Sequence, residues 1–239
     1  MQENIIRLKV VNQILQEIDQ DFVFVGGATV SLYAPDSGRN IPGRPTDHVD
    51  VVVEIASYGS YAKLDEKLLG LGFKNDITSG VICRYVVRGI IVDVMPTEEH
   101  VLGFNNKWYP EAFKNAITYT LDRENVFKIF SLPYFIAAKW DAFLDRGQHD
   151  YRTSKDFEDL VYIFEHVNDF KAKIDQAPEN LKTYLKDEFS IAFNTFEFNE
   201  GLIAQISRGG DRQIKIDYVK TKLRESFDID IPRSRGYTR

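Results

Sequence analysis

The chain has 239 residues, 44% of them apolar and 28% charged, with a net charge of −6. That is enough chain for one large domain or two small ones with a real core, and the acidic balance argues against general affinity for nucleic acid. The lone cysteine, Cys83, excludes an internal disulfide framework and fits a reducing, cytoplasmic setting; no apolar run approaches the ~20 residues needed to span a bilayer, and the first twenty residues lack the basic start and apolar centre of a signal peptide.

Residues 5–19 place Ile5, Leu8, Val11, Ile14, Leu15 and Ile18 at helical spacing. "DFVFVGG" reads as a short buried strand that stops at glycine, and "ATVSLYA" as a continuation into helix. "PDSGRNIPGRP" holds three prolines and two glycines, so it reads as a loop. "HVDVVVEI" is a β-branched strand. "SYAKLDEKLLGLGF" predicts a helix ending at Gly70 or Gly72, and "VICRYVVRG" and "IIVDVMP" predict two strands around a turn at Arg88-Gly89. The alternation of strand and helix over residues 1–96 implies an α/β layer.

After Pro110 the pattern turns helical. "SLPYFIAAKWDAFLDRG" carries Pro133 in its first turn. "SKDFEDLVYIFEHV" offers Ser154 as N-cap with Asp156 just inside. "APENLKTYLKDEFSIAFN" and "DRQIKIDYVKTKLRESF" are further helical segments. The expected fold is therefore α+β: a core domain with a small mixed sheet over residues 1–120, then a helical domain over 121–239. From Gln205 to Arg239 there are nine Lys/Arg and five Asp/Glu. Such a tail either meets RNA or another phosphate-rich partner, or is a solvated helix face.

The residues that carry chemistry form a phosphate-transfer pattern. Nucleotidyl transfer needs divalent cations that bridge a triphosphate, and magnesium takes oxygen ligands. Residues i and i+2 of a strand share a face, so positions 48 and 50 project together while Val49 points to the core. Gly26-Gly27 ends the preceding strand, where small residues let backbone approach a triphosphate. Asp93 sits between apolar neighbours, which is costly for an acid unless it is paired or metal-bound. Lys139 and Arg146 lie two helical turns apart on one face and make a cationic wall, unless Lys139 merely snorkels. Arg44 and Thr46, just before the acidic strand, either touch a phosphate or cap the turn.

"VGGATVSLY", "RPTDHVDVVVEI", "VDVMP", "LGFNNKWYP" and "AAKWDAFLDRGQHDYRTSKDFEDLVYI" together resemble the DNA polymerase β-like nucleotidyltransferase superfamily. Within it, they resemble the AbiEii/AbiGii group, the toxin-side enzymes of type IV toxin–antitoxin and abortive-infection systems. The resemblance implies an N-terminal nucleotidyltransferase domain that uses Mg²⁺ or Mn²⁺ to move NMP from an NTP to tRNA or protein, restrained by a cognate antitoxin. By the same resemblance Gly26 and Gly27 form the triphosphate turn, Asp50 is the second metal-binding acid, and Asp93 is the third acid, as metal ligand or general base. Lys139 contacts phosphate, and Asp156 or Asp159 is the downstream acid.

His48 departs from the pattern, which expects a carboxylate there. It is a metal ligand with another cation preference, the mark of a disabled site that still binds nucleotide or RNA, a replacement of an original acid, or a structural histidine bonded to Asp50 or Asp93. Asp47 points the other way in a regular strand. Transfer to a small molecule such as a drug or sugar uses the same constellation. The absence of Gly-x-Gly-x-x-Gly and of Gly-x-x-x-x-Gly-Lys-Ser/Thr argues against Rossmann and P-loop enzymes.

Overall fold

The computed structural model describes residues 3–34, 43–55, 57–103, 106–146 and 149–229. Helix α1 (Glu3–Leu15) leads to β1 (Phe22–Val25), a 3₁₀ helix (Gly27–Tyr33) and β2 (His48–Val53). Helix α2 (Tyr58–Gly70) precedes β3 (Lys74–Asn75), β4 (Arg84–Val87) and β5 (Ile90–Pro96). Short helices α3 (Glu99–Leu102) and α4 (Tyr109–Lys114) come before a hairpin of β6 (Ile117–Thr120) and β7 (Val126–Ile129). The rest is helical: α5 (Leu132–Arg146), α6 (Lys155–His166), α7 (Phe170–Asp175), α8 (Glu179–Phe193), α9 (Phe196–Gln205) and α10 (Arg212–Ser226). The fold is α+β, with a seven-stranded sheet in the order β3-β4-β5-β2-β1-β7-β6. The sheet is mixed, since β2 runs parallel to β5 and β1 to β7, while the other neighbours are antiparallel.

Local chemistry sets the boundaries that matter. Ser57 caps α2 by accepting from the Ser60 amide. At the other end the Phe73 amide reaches the Leu68 carbonyl and the Gly72 amide the Leu69 carbonyl, with Gly72 at φ 90°. This is the left-handed glycine ending that releases the chain into β3. Arg88 (φ 49°) and Gly89 (φ 77°) both take positive φ between β4 and β5, as a type I′ hairpin turn requires. Ser154 accepts from the Phe157 amide at 3.3 Å and starts α6. The segment after Gly26, expected to continue as helix, is 3₁₀, and Thr29 Oγ1 donates to the Gly26 carbonyl at its start.

Two strands lie where none was expected. β6 is the outermost strand and is mostly exposed, so Thr118, Tyr119 and Thr120 show no apolar alternation. β7 buries Phe127 and Ile129 and pairs with β1. A division between residues 120 and 121 would fall inside this hairpin, both strands of which belong to the sheet. One contiguous cluster of buried apolar residues runs from Leu8 in α1, through Val23, Val51 and Val92 in the sheet, to Val219 and Leu223 in α10.

Residues 35–42 of the expected loop and 230–239 of the basic tail lie outside the described residues. Within α10, several basic side chains serve the fold. Lys222 donates to the Phe164 and Val167 carbonyls at the end of α6, at 2.7 and 2.9 Å. Lys215 meets Glu165 at 3.2 Å, and Arg224 lies over the Phe193 ring. Among the described residues no helix is long and apolar enough to cross a membrane.

Candidate active site

A row of four residues crosses the sheet. Register pairs Val25 with Asp50, Asp50 with Asp93, and Asp93 with Arg84. Register partners share a face, so the Asp50 and Asp93 carboxylates stand side by side on adjacent parallel strands. His48, two residues before Asp50, shares that face. Ligand atoms of His48, Asp50 and Asp93 all lie within 4.8 Å of one another. Burial pushes the Asp50 carboxyl above its ordinary range; His48 opposes the shift and the Asp93 charge adds to it.

The glycine pair packs directly onto this row. Gly26 has φ 71°, and a Cβ there would sit 1.9 Å from Asp50 Oδ2. The Asp50 carboxylate therefore occupies the space a side chain at position 26 would fill. A Cβ on Gly27 would sit 2.6 Å from the Arg44 guanidinium and 3.1 Å from Asp159 Oδ2. Backbone approach at this turn is thus directed at charged groups on both sides.

Helices α5 and α6 supply the facing wall. Lys139 is buried, and its ammonium lies 2.9 Å from Asp156 Oδ1 and 2.7 Å from Asp159 Oδ2. Burial alone would depress the Lys139 pKa, but Asp159 and Asp156 hold it above the ordinary lysine value. Arg146 donates to both Asp156 oxygens at 3.1 and 3.3 Å. Burial raises the Asp156 pKa, but Lys139 and Arg146 outweigh it and bring the carboxyl down to about 2. Arg44 grips Asp159 with two donors at 2.9 and 3.1 Å. Asn4 of α1 fixes this stretch, donating to the Arg44 carbonyl and accepting from the Thr46 amide.

A cavity of about 380 Å³ opens between the row and these helices, within the ~300–1,000 Å³ typical of small-ligand sites. Its lining includes Gly26, Gly27, Arg44, His48, Asp50, Asp93, Lys139, Arg146 and Asp156, so it gathers most of the predicted residues. Asp159 is not among them; it is 1% exposed, behind Lys139 and beneath Gly27. Thr46 is not among them either, and its hydroxyl instead bonds the backbone of His48. Lys139 does not snorkel outward, being locked between two carboxylates.

Asp47, just before β2, is largely exposed and does not line the cavity. Its carboxylate accepts from His48 Nδ1 at 2.9 Å. On the other side of the ring, His48 Nε2 lies 3.6 Å from Asp50 Oδ1, too far for a hydrogen bond. The expectation of a structural histidine bonded to Asp50 is thus not met.

Several lining residues escaped the sequence reading. Arg84 donates to both Asp93 oxygens at 2.7 Å. Its position was implicit in the Arg88-Gly89 turn, because a two-residue hairpin turn there sets 84 opposite 93. Lys155, Cys83 and Tyr109 line the cavity without any pattern that singles them out. In total five cationic side chains (Arg44, Arg84, Lys139, Arg146 and Lys155) face three acidic ones across the lining. With Asp159, which bonds Arg44 and Lys139 from behind the lining, the balance is five cations to four acids, a small local positive excess in a chain of net charge −6. A second groove of about 600 Å³ shares Met95, Tyr109, Ala142 and Arg146 with the first.

No protein-family model matches the chain, and no curated protein matches it.

Proposed function

We propose that the chain is a polymerase β-like nucleotidyltransferase that moves NMP from an NTP to an acceptor hydroxyl. One observation carries the reading: the His48, Asp50 and Asp93 donor atoms converge within 4.8 Å at the Gly26-Gly27 turn, on one wall of a cavity with an excess of cations. The donor set fits a divalent cation, since two neighbouring acids on one buried row call for a compensating positive charge. Asp50, Asp93 and His48 would hold it. Bound there, Mg²⁺ or Mn²⁺ supplies neutralisation of the triphosphate and polarisation of its α-phosphate.

The chain's own residues do the rest. Gly26 and Gly27 leave room for backbone to meet phosphate oxygens. Arg146, Arg44 and Lys155 offset triphosphate charge, and Lys139 holds Asp156 and Asp159 in place. The acceptor oxygen forms its bond to the α-phosphorus, the bond to the bridging oxygen breaks, and pyrophosphate leaves with the electron pair. The acceptor proton goes to Asp93, whose carboxylate gives up one of its two Arg84 hydrogen bonds to take it. Asp156, with its pKa near 2, is too weak a base for that task and orients its cationic neighbours instead.

For the acceptor, tRNA or protein is the first reading, within a toxin–antitoxin or phage-defence setting where a cognate antitoxin restrains the activity. The adjoining groove favours a second. Glu98, Glu99, Asp141 and Asp145 line it, with Lys107 already paired to Asp141 at 3.0 Å. Such a wall repels RNA phosphates and suits an amine-bearing small molecule or a basic protein segment.

The test is label transfer. The unaltered chain and H48D are incubated with α-labelled NTPs, Mg²⁺ or Mn²⁺, and total tRNA, protein or amino sugars. Transfer by either form to any acceptor supports the proposal. Nucleotide binding without transfer by either form would favour a binding module that has lost turnover, and absence of both overturns the reading.

A further inference from the structure

Asp47 and His48 together add something that the expected pair of acids lacks. The Asp47 carboxylate can only accept, so the 2.9 Å contact with His48 Nδ1 places the ring proton on Nδ1. The neutral ring then carries its bare lone pair on Nε2. That atom lies 3.6 Å from Asp50 Oδ1, and His48 shares the 4.8 Å group with Asp50 and Asp93. A carboxylate bonded to the far nitrogen of an imidazole is the arrangement that orients metal-ligating histidines and raises their basicity.

We infer that Asp47 is a positioning residue that presents His48 Nε2 as a nitrogen ligand, making this a mixed nitrogen and oxygen site that favours Mn²⁺ or another first-row transition cation over Mg²⁺. The inference rests on the proposed cation-bearing transfer site. Its physical basis is ligand softness. An imidazole adds affinity for transition cations, whereas Mg²⁺ prefers oxygen throughout. His48 is thus a change of cation preference. Asp47, largely exposed at 75% for its side chain, costs the fold nothing visible when altered, so its variants are informative.

The experiment is Mn²⁺ binding to the full chain, followed by electron paramagnetic resonance, with nitrogen-14 modulation as the signature of a coordinated imidazole. The unaltered chain should bind Mn²⁺ with that modulation. H48A should lose the modulation. D47A should keep it but bind Mn²⁺ about tenfold more weakly, and D47N, which retains an acceptor oxygen, should recover part of the loss. H48D should bind without modulation and release Mn²⁺ to excess Mg²⁺ more readily than the unaltered chain. Mn²⁺ bound by the unaltered chain without nitrogen modulation overturns the inference alone, as does binding by H48D only. Binding by neither form overturns the inference and the cation site beneath it.

Discussion

Arg84 and Asp93 face each other across the β4–β5 pairing, and the guanidinium holds both carboxylate oxygens at 2.7 Å. The same carboxylate stands in register with Asp50. A cation at the proposed site and Arg84 therefore compete for one acid. Replacing Arg84 by Gln should raise Mn²⁺ affinity, on the order of tenfold, by removing a positive charge from the site. It should also lower the stability of the cation-free protein by about 1–3 kcal/mol, because Asp93 is left buried without its partner. Calorimetric titration and urea unfolding measure the two effects. Unchanged or weaker Mn²⁺ binding by R84Q would show that Arg84 does not compete.

Gly26 is tested by contrast with Gly59. An alanine at 26 meets Asp50 Oδ2 at 1.9 Å and takes a positive φ of 71°. G26A should lose about 1–3 kcal/mol from backbone strain alone and should lose Mn²⁺ binding as the Asp50 carboxylate is displaced. Gly59 lies in α2, where an added Cβ meets only Ser57 Oγ at 4.0 Å, so G59A should be neutral or gain up to about 1 kcal/mol. Thermal unfolding of both separates a site glycine from a permissive one, and equal behaviour of the two would contradict the packing described.

Lys139 neutralises two buried acids at once. K139M should cost about 3–5 kcal/mol, because the buried Asp156 and Asp159 lose their shared partner. Adding D159N to K139M should restore part of the loss. Urea midpoints report both, and a K139M protein as stable as the parent would mean that these contacts carry no net energy.

The Asp156 carboxyl gives an acid limb to stability. Its pKa falls from 3.8 to about 2 on folding. A depressed carboxylate contributes stability above its unfolded value, and that contribution is lost as pH falls through the folded value. Stability should therefore drop between pH ~4 and ~2 by roughly 2 kcal/mol on this account. D156N should be less stable than the parent at pH 6, with the gap closing toward pH 2. A constant gap across that window would rule out the linkage.

A fragment ending at residue 120 lacks β7, which is one of the two partners of β1 and the partner of β6, and with it the buried Phe127 and Ile129. It should show no cooperative unfolding by circular dichroism. A sharp transition in that fragment would support a division at residue 120.

Much of the site could be read from the chain because it sits on regular elements. The i, i+2 spacing set His48 and Asp50 on one face, and the glycine pair marked the close approach. Asp47 lies just before β2, so strand alternation does not govern its side chain, which rests against its neighbour His48. The roles of Asp156 and Asp159 depended on how α6 rotates against α5, which no local pattern specifies. β6 was missed because an exposed edge strand carries no apolar period, and β7 because its alternation spans only four residues, Val126–Ile129. The positive tail suggested an anionic partner, but Lys222, Lys215 and Arg224 show that helix charges can serve internal carbonyls, acids and rings.

Asp50 and Asp93 hold matched positions on parallel strands, and this makes the site a matter of counting. Moving β2 by one residue would turn its acid into the apolar interior. Moving it by two would restore the face but carry the acid ~7 Å from the Gly26 turn. No small adjustment lies between these outcomes. Exchanging a side chain at position 48, 50 or 93 leaves the row in place, whereas an insertion or deletion within β2 breaks it.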